Sequence, residues 1–316
     1  MFLSSIFHIM RLIRNSLLLI IVFCYITSCG NDDVYDSVVV IDKGEKETIK
    51  VLTANSFGHG AFHPSGAQGL AIYGNYLFRL HEFGNCNIYD ISDLEDITFI
   101  NSFKLGSYAT NNHPNCAQFA PTAPLEDTGF PLLYTTLGNN NEQMAIEKIS
   151  LEGSECLKKI IITDIDGKTS SHTRCNWIIG DDGFIWGMTH SGTPGNKDYV
   201  VNFYKLFLPE SEDKVQTISI ADAIDHFVDD DSNLPITWQG GMVRNGKLYF
   251  LFGTEAVNRQ LRVYDTTTHK RLAIINLNKI TSAEPEDIDL WQDNKIILGL
   301  NSVDYAILLQ LIEKEE

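Results

Sequence analysis

Residues 67–80 read "AQGLAIYGNYLFRL", and residues 238–251 read "WQGGMVRNGKLYFL". In both stretches a Gln-Gly pair opens a short, half-apolar run, which a turn containing Gly separates from a second run rich in aromatic residues. Runs of β-branched and aromatic residues that are bounded by Gly or Asn turns are typical of β-hairpins. The sequence therefore predicts the same hairpin at two distant places in the chain.

The same unit occurs five times along the chain, each time opened by an amide or carboxylate side chain. The five copies begin at Gln68, Gln118, Asn176, Gln239 and Glu286. A third run follows the hairpin in every copy, and a fourth run follows in four copies, at 98–105, 157–165, 214–221 and 270–277. Four strands in each repeat, with successive repeats starting about 50 to 60 residues apart, are the signature of β-propeller blades.

The fifth copy lacks a fourth run, and the segment "ETIKVLTA" (47–54) before the first copy has strand character. A strand from the N-terminal side that completes the last blade would leave no open sheet edge. The sequence thus predicts an all-β fold, a five-bladed β-propeller whose last blade is closed by the N-terminal strand, with residues near 50 beside residues near 308. A two-sheet sandwich is the alternative. The segment "IADAIDHFV" (220–228) is the one predicted helix, a short one in a blade connection.

The N-terminus has the pattern of a secretory signal. Arg11 and Arg14 precede the apolar stretch "SLLLIIVFCYIT" (16–27), which is too short to span a bilayer comfortably. The polar stretch that follows has little to bury and reads as a tether. The predicted division of the chain is a signal peptide at 1–28, a tether at 29–46 and the propeller at 47–316.

Two short motifs resemble the leader of a bacterial surface lipoprotein. The motif "ITSC" (26–29) resembles the lipobox, which implies that Cys29 is lipidated and becomes the new N-terminus. The following "GNDD" (30–33) resembles the acidic signal that directs lipoproteins of Bacteroidota to the outer face of the outer membrane. The resemblance implies a surface-exposed outer-membrane lipoprotein that meets the membrane through its lipid anchor. A plain secretory signal with an incidental Cys is the alternative.

The charge balance excludes one class of partner. The chain has 24 Lys and Arg against 41 Asp and Glu, a net charge of −17 at pH 7. Such a chain repels phosphate backbones, so nucleic-acid binding is not expected.

The propeller topology brings distant polar residues to one surface. Innermost strands all begin at one rim, here named the upper rim, and second strands return to it. Amide side chains at the start of innermost strands would line the channel mouth and suit hydroxyl-rich ligands. The alternative is that they only satisfy channel waters and strand ends. The predicted ligand-binding residues are His63, Gln68, His81, Gln118, Asn176, Trp238, Gln239 and Glu286.

Histidines also concentrate at this predicted rim. Three of them, His63, His113 and His172, lie four or five residues before a blade-opening amide and are candidates for a divalent metal such as Zn or Mn. They could instead support the loops between blades. The candidates for general acid-base catalysis are His113, His172, His190, Glu82 and Glu255.

Residues 48–312 resemble repeat β-propellers, similar in blade count to lectin-like tachylectins and to five-bladed glycan-active enzymes. The first hypothesis is therefore a cell-surface lipoprotein that binds a polar ligand, a glycan above all, on the upper rim. The alternatives are a polysaccharide-active hydrolase or lyase that uses His and Glu groups on the same rim, and a scaffold for a surface-protein partner. Whether the protein is an enzyme stays open at this point.

Overall fold

Five separate β-sheets, one for each sequence repeat, make up the computed structural model of the protein. All five belong to one compact unit that spans Asp36–Glu316, and no α-helix occurs within the described part of the chain. The residues that the structure describes are 39–40, 48–56, 66–138, 144–165, 167, 176–193, 196, 198–231, 237–292, 295–301 and 305–312.

The strands follow the repeats in chain order. Two strands precede the first repeat, β1 (Val39–Val40) and β2 (Thr48–Ser56). Blade 1 contains β3 (Ala67–Tyr73), β4 (Tyr76–His81), β5 (Asn85–Asp90) and β6 (Thr98–Lys104). The second repeat contains β7 (Ala117–Phe119), β8 (Leu133–Thr136), β9 (Met144–Ile149) and β10 (Ser154–Thr163).

The remaining three repeats complete the set of strands. The third contains β11 (Trp177–Ile179), β12 (Ile185–Ser191), β13 (Val200–Leu206), β14 (Val215–Ser219) and β15 (Asp225–Asp229). The fourth contains β16 (Trp238–Arg244), β17 (Lys247–Phe252), β18 (Gln260–Asp265) and β19 (Arg271–Asn276). The fifth contains β20 (Pro285–Trp291), β21 (Lys295–Leu300) and β22 (Tyr305–Ile312). Three short 3-10 turns lie at Glu82–Gly84, Ile220–Asp222 and Leu277–Lys279.

The predicted closure of the ring is confirmed. Strand β2 pairs antiparallel with β22, with Val51 opposite Leu309 and Ala54 opposite Ile307. The last sheet therefore has the order β2-β22-β21-β20 and contains both ends of the propeller. The innermost strands β3, β7, β11, β16 and β20 contact one another in turn, and β20 contacts β3 again. These contacts make the five blades of a β-propeller.

The hairpin turns use the residues that the sequence pattern indicates. Between β16 and β17, Asn245 has a φ of 53° and Gly246 a φ of 72°, so both central residues are in the left-handed region that a type I′ turn requires. This turn twists in the same sense as its strands and sets their register.

Apolar side chains fill the space between neighbouring blades. The described residues form five hydrophobic clusters, one at each of the five blade interfaces. At the closing interface, for example, Leu70 and Tyr89 of blade 1 pack against Trp291 and Leu308 of blade 5. Each cluster joins two blades, so apolar packing between blades stabilises the ring. The channel itself can therefore be lined by polar groups.

Two predictions about the third repeat are wrong. The predicted fourth run at 214–221 contributes β14, which pairs in parallel with β10 and becomes the fifth strand of blade 2. The predicted helix at 220–228 contributes β15, which pairs with β13 as the outermost strand of blade 3. Within that segment, only Ile220–Asp222 forms a 3-10 turn. The physical reason is the burial of Phe227 and Asp229 on one face of β15, an alternation that a helix could not provide.

The N-terminal predictions fall mostly outside the described residues. The signal peptide, Cys29 and most of the tether belong to that part of the chain. Within the predicted tether, Val39 and Val40 form β1, which pairs with β19 at the outer edge of blade 4. In the part of the chain that the structure describes, no helix is long and apolar enough to cross a bilayer.

Candidate binding site at the channel mouth

The polar residues that open the five repeats lie where the innermost strands begin. Gln68, Gln118, Gln239 and Glu286 lie near the starts of β3, β7, β16 and β20, and Asn176 immediately precedes β11. All five are buried, with exposures between 0% and 4%. They form the floor of the channel mouth, and more exposed groups stand above them.

Asp287 closes the channel just below this floor. Its Oδ2 accepts hydrogen bonds from the backbone N–H of Leu70 and of Ala117, both at 2.9 Å. These N–H groups lie on the channel-facing edges of β3 and β7, where no further strand can pair with them. Gly240 of β16 leaves room for the same carboxylate, because a side chain there would collide with it. Asp287 of β20 therefore hydrogen-bonds to two other innermost strands and lies against a third.

Two residues further along the same strand, Asp289 repeats this arrangement. It accepts from the backbone N–H of Ile72 at 2.8 Å and from the guanidinium of Arg244 at 3.1 Å. Burial raises the pKa of Asp289, and it raises the pKa of Asp287 further, because no cation among the described residues pairs with Asp287. Both carboxyls are part of the channel wall.

Some of the buried acceptor oxygens at the mouth have no hydrogen-bond partner among the described residues. These oxygens include Gln68 Oε1, Gln118 Oε1 and Asp287 Oδ1. The Gln118 amide is held from its other side, since its Nε2 donates to the carbonyl of Ile288 across the channel at 3.3 Å. A buried acceptor without a partner costs free energy, and because these oxygens have almost no accessible surface, they belong to the interior of the floor.

An acidic cluster stands above the floor at blades 5 and 1. Glu284 accepts hydrogen bonds from Gln239 Nε2 at 2.6 Å and from Asn301 Nδ2 at 3.1 Å, so it bridges blades 4 and 5. His113 Nδ1 lies 4.0 Å from Glu82 Oε1, and both side chains are about two-fifths exposed, at 43% and 37%. We refer to Glu82, His113 and Glu284, together with Glu286 of the floor beneath them, as the acidic cluster.

The members of the acidic cluster shift one another's protonation. Burial raises the pKa of Glu286 well above its ordinary value, and Glu284, Asp287 and Glu82 add to this while Arg79 opposes it. Burial lowers the pKa of His113, against the opposing effect of Glu82 and Glu284. The cluster therefore combines a carboxyl that holds its proton with an imidazole that loses its proton easily.

Aromatic side chains line the opposite part of the mouth, at blades 3 and 4. The ring of His190 lies 4.3 Å from the indole of half-buried Trp238 and 5.7 Å from the ring of Tyr199. Burial raises the pKa of Tyr199 to about 12, so its hydroxyl stays protonated. The mouth thus has an acidic part and an aromatic part.

Several residues that the sequence singled out lie elsewhere or outside the described residues. His81 is buried at the end of β4, with its Nε2 3.3 Å from Asn87 Nδ2. Glu255 is exposed in the loop after β17. His63 and His172 lie outside the described residues, so the predicted metal set of His63, His113 and His172 stays a prediction. Among the residues that the structure describes, no group of three or more His, Cys, Asp or Glu could hold a metal ion.

The sequence reasoning missed Glu284 and Asp287. The signal was present in "EPEDID" (284–289), where four carboxylates surround the start of an apolar innermost strand. Charged residues are seldom buried unless they are paired or hydrogen-bonded, so a run of this kind in an innermost strand indicates a special environment.

Comparisons with known proteins support the fold. No protein family matches the sequence, and no curated protein matches it. Among solved structures, a glutaminyl cyclase from Myxococcus xanthus superposes with a TM-score of 0.52 at 10% identity, covering 86% of this chain and 100% of its own. That likeness extends to the fold alone.

Two further solved structures superpose less well. A carbohydrate-active enzyme of family AA12 from Trichoderma reesei has a TM-score of 0.45 at 9% identity, covering 89% of this chain and 99% of its own. A putative oxidoreductase (glucose dehydrogenase) from Thermus thermophilus has a TM-score of 0.43 at 10% identity, covering 84% of this chain and 100% of its own.

Proposed function

We propose that the channel mouth binds a polar ligand that donates hydrogen bonds, and that this ligand is a neutral or amino-bearing glycan. The observation that carries the proposal is the pairing of two partly exposed carboxylates at the mouth, Glu82 and Glu284, with the half-buried indole of Trp238. Hydroxyl and ammonium groups donate hydrogen bonds to carboxylates.

The charge and shape of the mouth narrow the class of ligand. The carboxylates of Glu82 and Glu284 repel sulfated, phosphorylated or uronic-acid ligands. On the other side of the mouth, the half-buried indole of Trp238 offers an apolar surface against which the C–H face of a sugar ring can pack. Donor groups on one side of the ligand and an apolar face on the other are properties of a sugar ring.

The binding proposal is tested by a glycan-array screen with the detergent-solubilised full-length chain. We expect neutral or amino-bearing glycans to bind, and Trp238→Ala to weaken their binding about ten-fold, the effect of losing one aromatic packing surface. Val215→Ala, at an exposed apolar position on β14, is the matched control and should bind like the parent chain. A folded chain that retains no glycan on the array would refute the proposal.

We also propose that the protein is a lipoprotein on the outer face of the outer membrane. The support is the lipobox-like "ITSC" (26–29) and the acidic "GNDD" (30–33). Metabolic labelling with a fatty acid should mark the parent chain and not Cys29→Ala. Protease added to intact cells should degrade the labelled protein. Labelling that persists in Cys29→Ala would contradict the anchor, and protection from the protease would contradict the outward-facing location.

A second candidate function is acid-base catalysis on a polysaccharide, by hydrolysis or elimination. It is favoured by the 4.0 Å approach of His113 to Glu82 beside Glu286, whose pKa is raised. The imidazole could accept a proton and the Glu286 carboxyl could donate one, a pair of roles that such reactions require.

The catalytic candidate is tested by turnover. Polysaccharides form the substrate panel, and a peptide with N-terminal Gln is added because the similar fold from Myxococcus xanthus is named a glutaminyl cyclase. His113→Ala and Glu82→Gln should abolish turnover, and Glu95→Gln, at an exposed site, should not. The His113 imidazole must be neutral to accept a proton, and its pKa is lowered from the ordinary histidine value of about 6.5. Activity should therefore fall only at pH values below about 6.5. Unchanged rates in both variants would exclude this function.

A further inference from the structure

A second concave site lies between the outer strands of blade 2 and the face of blade 3. This blade 2–3 groove has a volume of about 400 Å³. Asp164 and Ile165, which follow β10, line one side, and Asn202 and Tyr204 of β13 line the other. His190 of β12 also lines it.

Neighbouring side chains hold the polar groups of the groove in place. Asn202 Nδ2 donates to Ser191 Oγ at 3.4 Å, and Asn202 Oδ1 lies 3.2 Å from His226 Nε2. The ring of His226 stacks on the ring of Tyr204, with centroids 4.6 Å apart and planes 26° from parallel. An oriented amide therefore lies two positions from a supported aromatic ring on the same strand face, so that a ligand could contact both.

The described lining of the groove carries no positively charged side chain. Among the described residues that line it, Asp164 is the one acidic side chain and no Lys or Arg is present. The remaining polar lining consists of hydroxyl, amide and imidazole groups. A phosphate, sulfate or carboxylate would find no cation among these lining residues, whereas a neutral polyhydroxylated ligand would find donors and acceptors.

The groove connects with the channel mouth through one pair of rings. His190 lines the groove, and its ring lies 4.3 Å from Trp238. Trp238 directly precedes Gln239, which is part of the floor of the mouth. One side chain of the groove is therefore in ring contact with one side chain of the mouth.

We propose that the blade 2–3 groove is a second subsite for the ligand of the channel mouth, and that the ligand is an oligosaccharide long enough to occupy both. This inference rests on the proposed glycan-binding function. It adds that the glycan is several sugars long and uncharged. One sugar lies at the mouth beside Trp238, and a later sugar of the same chain contacts Asn202 and Tyr204.

Calorimetric titration of the full-length chain with a disaccharide and with a long neutral oligosaccharide of the same linkage tests the inference. Asn202→Ala should lower the affinity for the long ligand about ten-fold, the effect of one lost hydrogen bond, and leave that for the disaccharide unchanged. Trp238→Ala should lower both affinities. Val215→Ala is the matched surface control and should change neither.

The possible failures are distinguishable. If Asn202→Ala binds the long ligand like the parent chain while Trp238→Ala does not, the groove is not a subsite and the mouth proposal stands. If Asn202→Ala weakens both ligands equally, the groove is not a separate subsite either. If the parent chain binds neither ligand, the glycan proposal fails and this inference fails with it. A thermal melt of Asn202→Ala that matches the parent chain confirms that the variant is folded.

Discussion

Single carboxylates connect the innermost strands around the channel. The channel-facing edge of such a strand has backbone N–H groups that no neighbouring strand can accept from. Asp287 takes two of them, from Leu70 and Ala117, and lies against Gly240 on a further strand. Buried backbone donors are almost always paired. The Asp287 carboxylate supplies the acceptor that a neighbouring strand would otherwise provide.

The first prediction concerns Asp287. Asp287→Ala removes the acceptor and leaves two buried N–H groups unpaired, which should lower the free energy of unfolding by roughly 2–5 kcal/mol. Asp287→Asn keeps one carbonyl oxygen that can accept both bonds, so its loss should stay below about 1 kcal/mol. Urea denaturation measures both, with Asp96→Asn at an exposed site as the control. Equal losses in the Ala and Asn variants would contradict the assigned role.

For single residues, the sequence predicted where a side chain lies along its strand, but not which side chains of other blades it contacts. The repeat predicted that Gln68, Gln118 and Gln239 lie at the starts of innermost strands, because this placement depends only on the order of the strands along the chain. It could not predict that Glu284 accepts from Gln239, since the two residues lie 45 positions apart and meet through the side-to-side packing of two blades. Contacts of this kind depend on blade rotation, which repeat spacing does not encode.

At the scale of the strand, β15 is held to blade 4 by a buried ionic network. Asp229 Oδ2 accepts hydrogen bonds from Arg262 Nη1 at 2.9 Å and from the hydroxyl of Tyr264 at 2.7 Å. Burial alone would raise the pKa of Asp229, but Arg262, Tyr264 and further donors together outweigh it and lower the pKa. The network explains why a short strand with exposed His226 and Val228 stays in its sheet.

The second prediction is a pH-dependent stability. Asp229→Asn should lower the free energy of unfolding at pH 7 by about 3 kcal/mol, since it removes one of the two carboxylates beside the buried guanidinium of Arg262, and only Asp231, at 3.3 Å, remains among the described residues. The folded pKa is depressed, so the contribution of Asp229 is complete above its unfolded value of about 3.9 and is lost as pH falls through the folded pKa.

Urea denaturation from neutral to acidic pH measures this effect. The difference between the parent chain and Asp229→Asn should shrink in the acidic range, while Asp230→Asn, at the exposed neighbouring position, should behave like the parent chain throughout. A difference that stays constant down to the most acidic pH would contradict the assignment.

The wrong assignment of 214–228 has a physical cause. Ile220, Ile224 and Phe227 are spaced like the apolar positions of a helix, and the sequence offers no local feature that opposes this reading. The pairing partner determines the structure of residues 215–219, because β10 has an open edge with which β14 pairs in parallel. Parallel pairing to a strand some 50 residues earlier cannot be deduced from local alternation, whereas the strands of blades 1 and 5 could be.

At the scale of the whole molecule, closure depends on the pairing of β2 with β22. The sequence predicted this pairing because the fifth repeat was one strand short and a strand from the N-terminal side could complete its sheet. The pairing joins residues about 250 to 265 positions apart, and so the last blade contains strands from both ends of the propeller.

The third prediction tests this closure by truncation. Deleting residues 1–56 removes β2 and exposes the edge of β22, which should lower the free energy of unfolding by at least roughly 4 kcal/mol, at about 1 kcal/mol for each ladder hydrogen bond. Deleting residues 1–46 leaves β2 in place and removes, among the described strands, β1 alone, so it should have a much smaller effect. Equal urea midpoints for the two truncated chains would show that β2 does not close the ring.

A crystal structure of the full-length chain with its strongest glycan from the array tests the central claim most directly. The account predicts a neutral or amino-bearing sugar at the upper rim, with a hydroxyl or ammonium group within about 3 Å of Glu284 or Glu82 and a ring face against Trp238. A ligand bound at the opposite rim, or on the outer edge of a blade away from these residues, would contradict it.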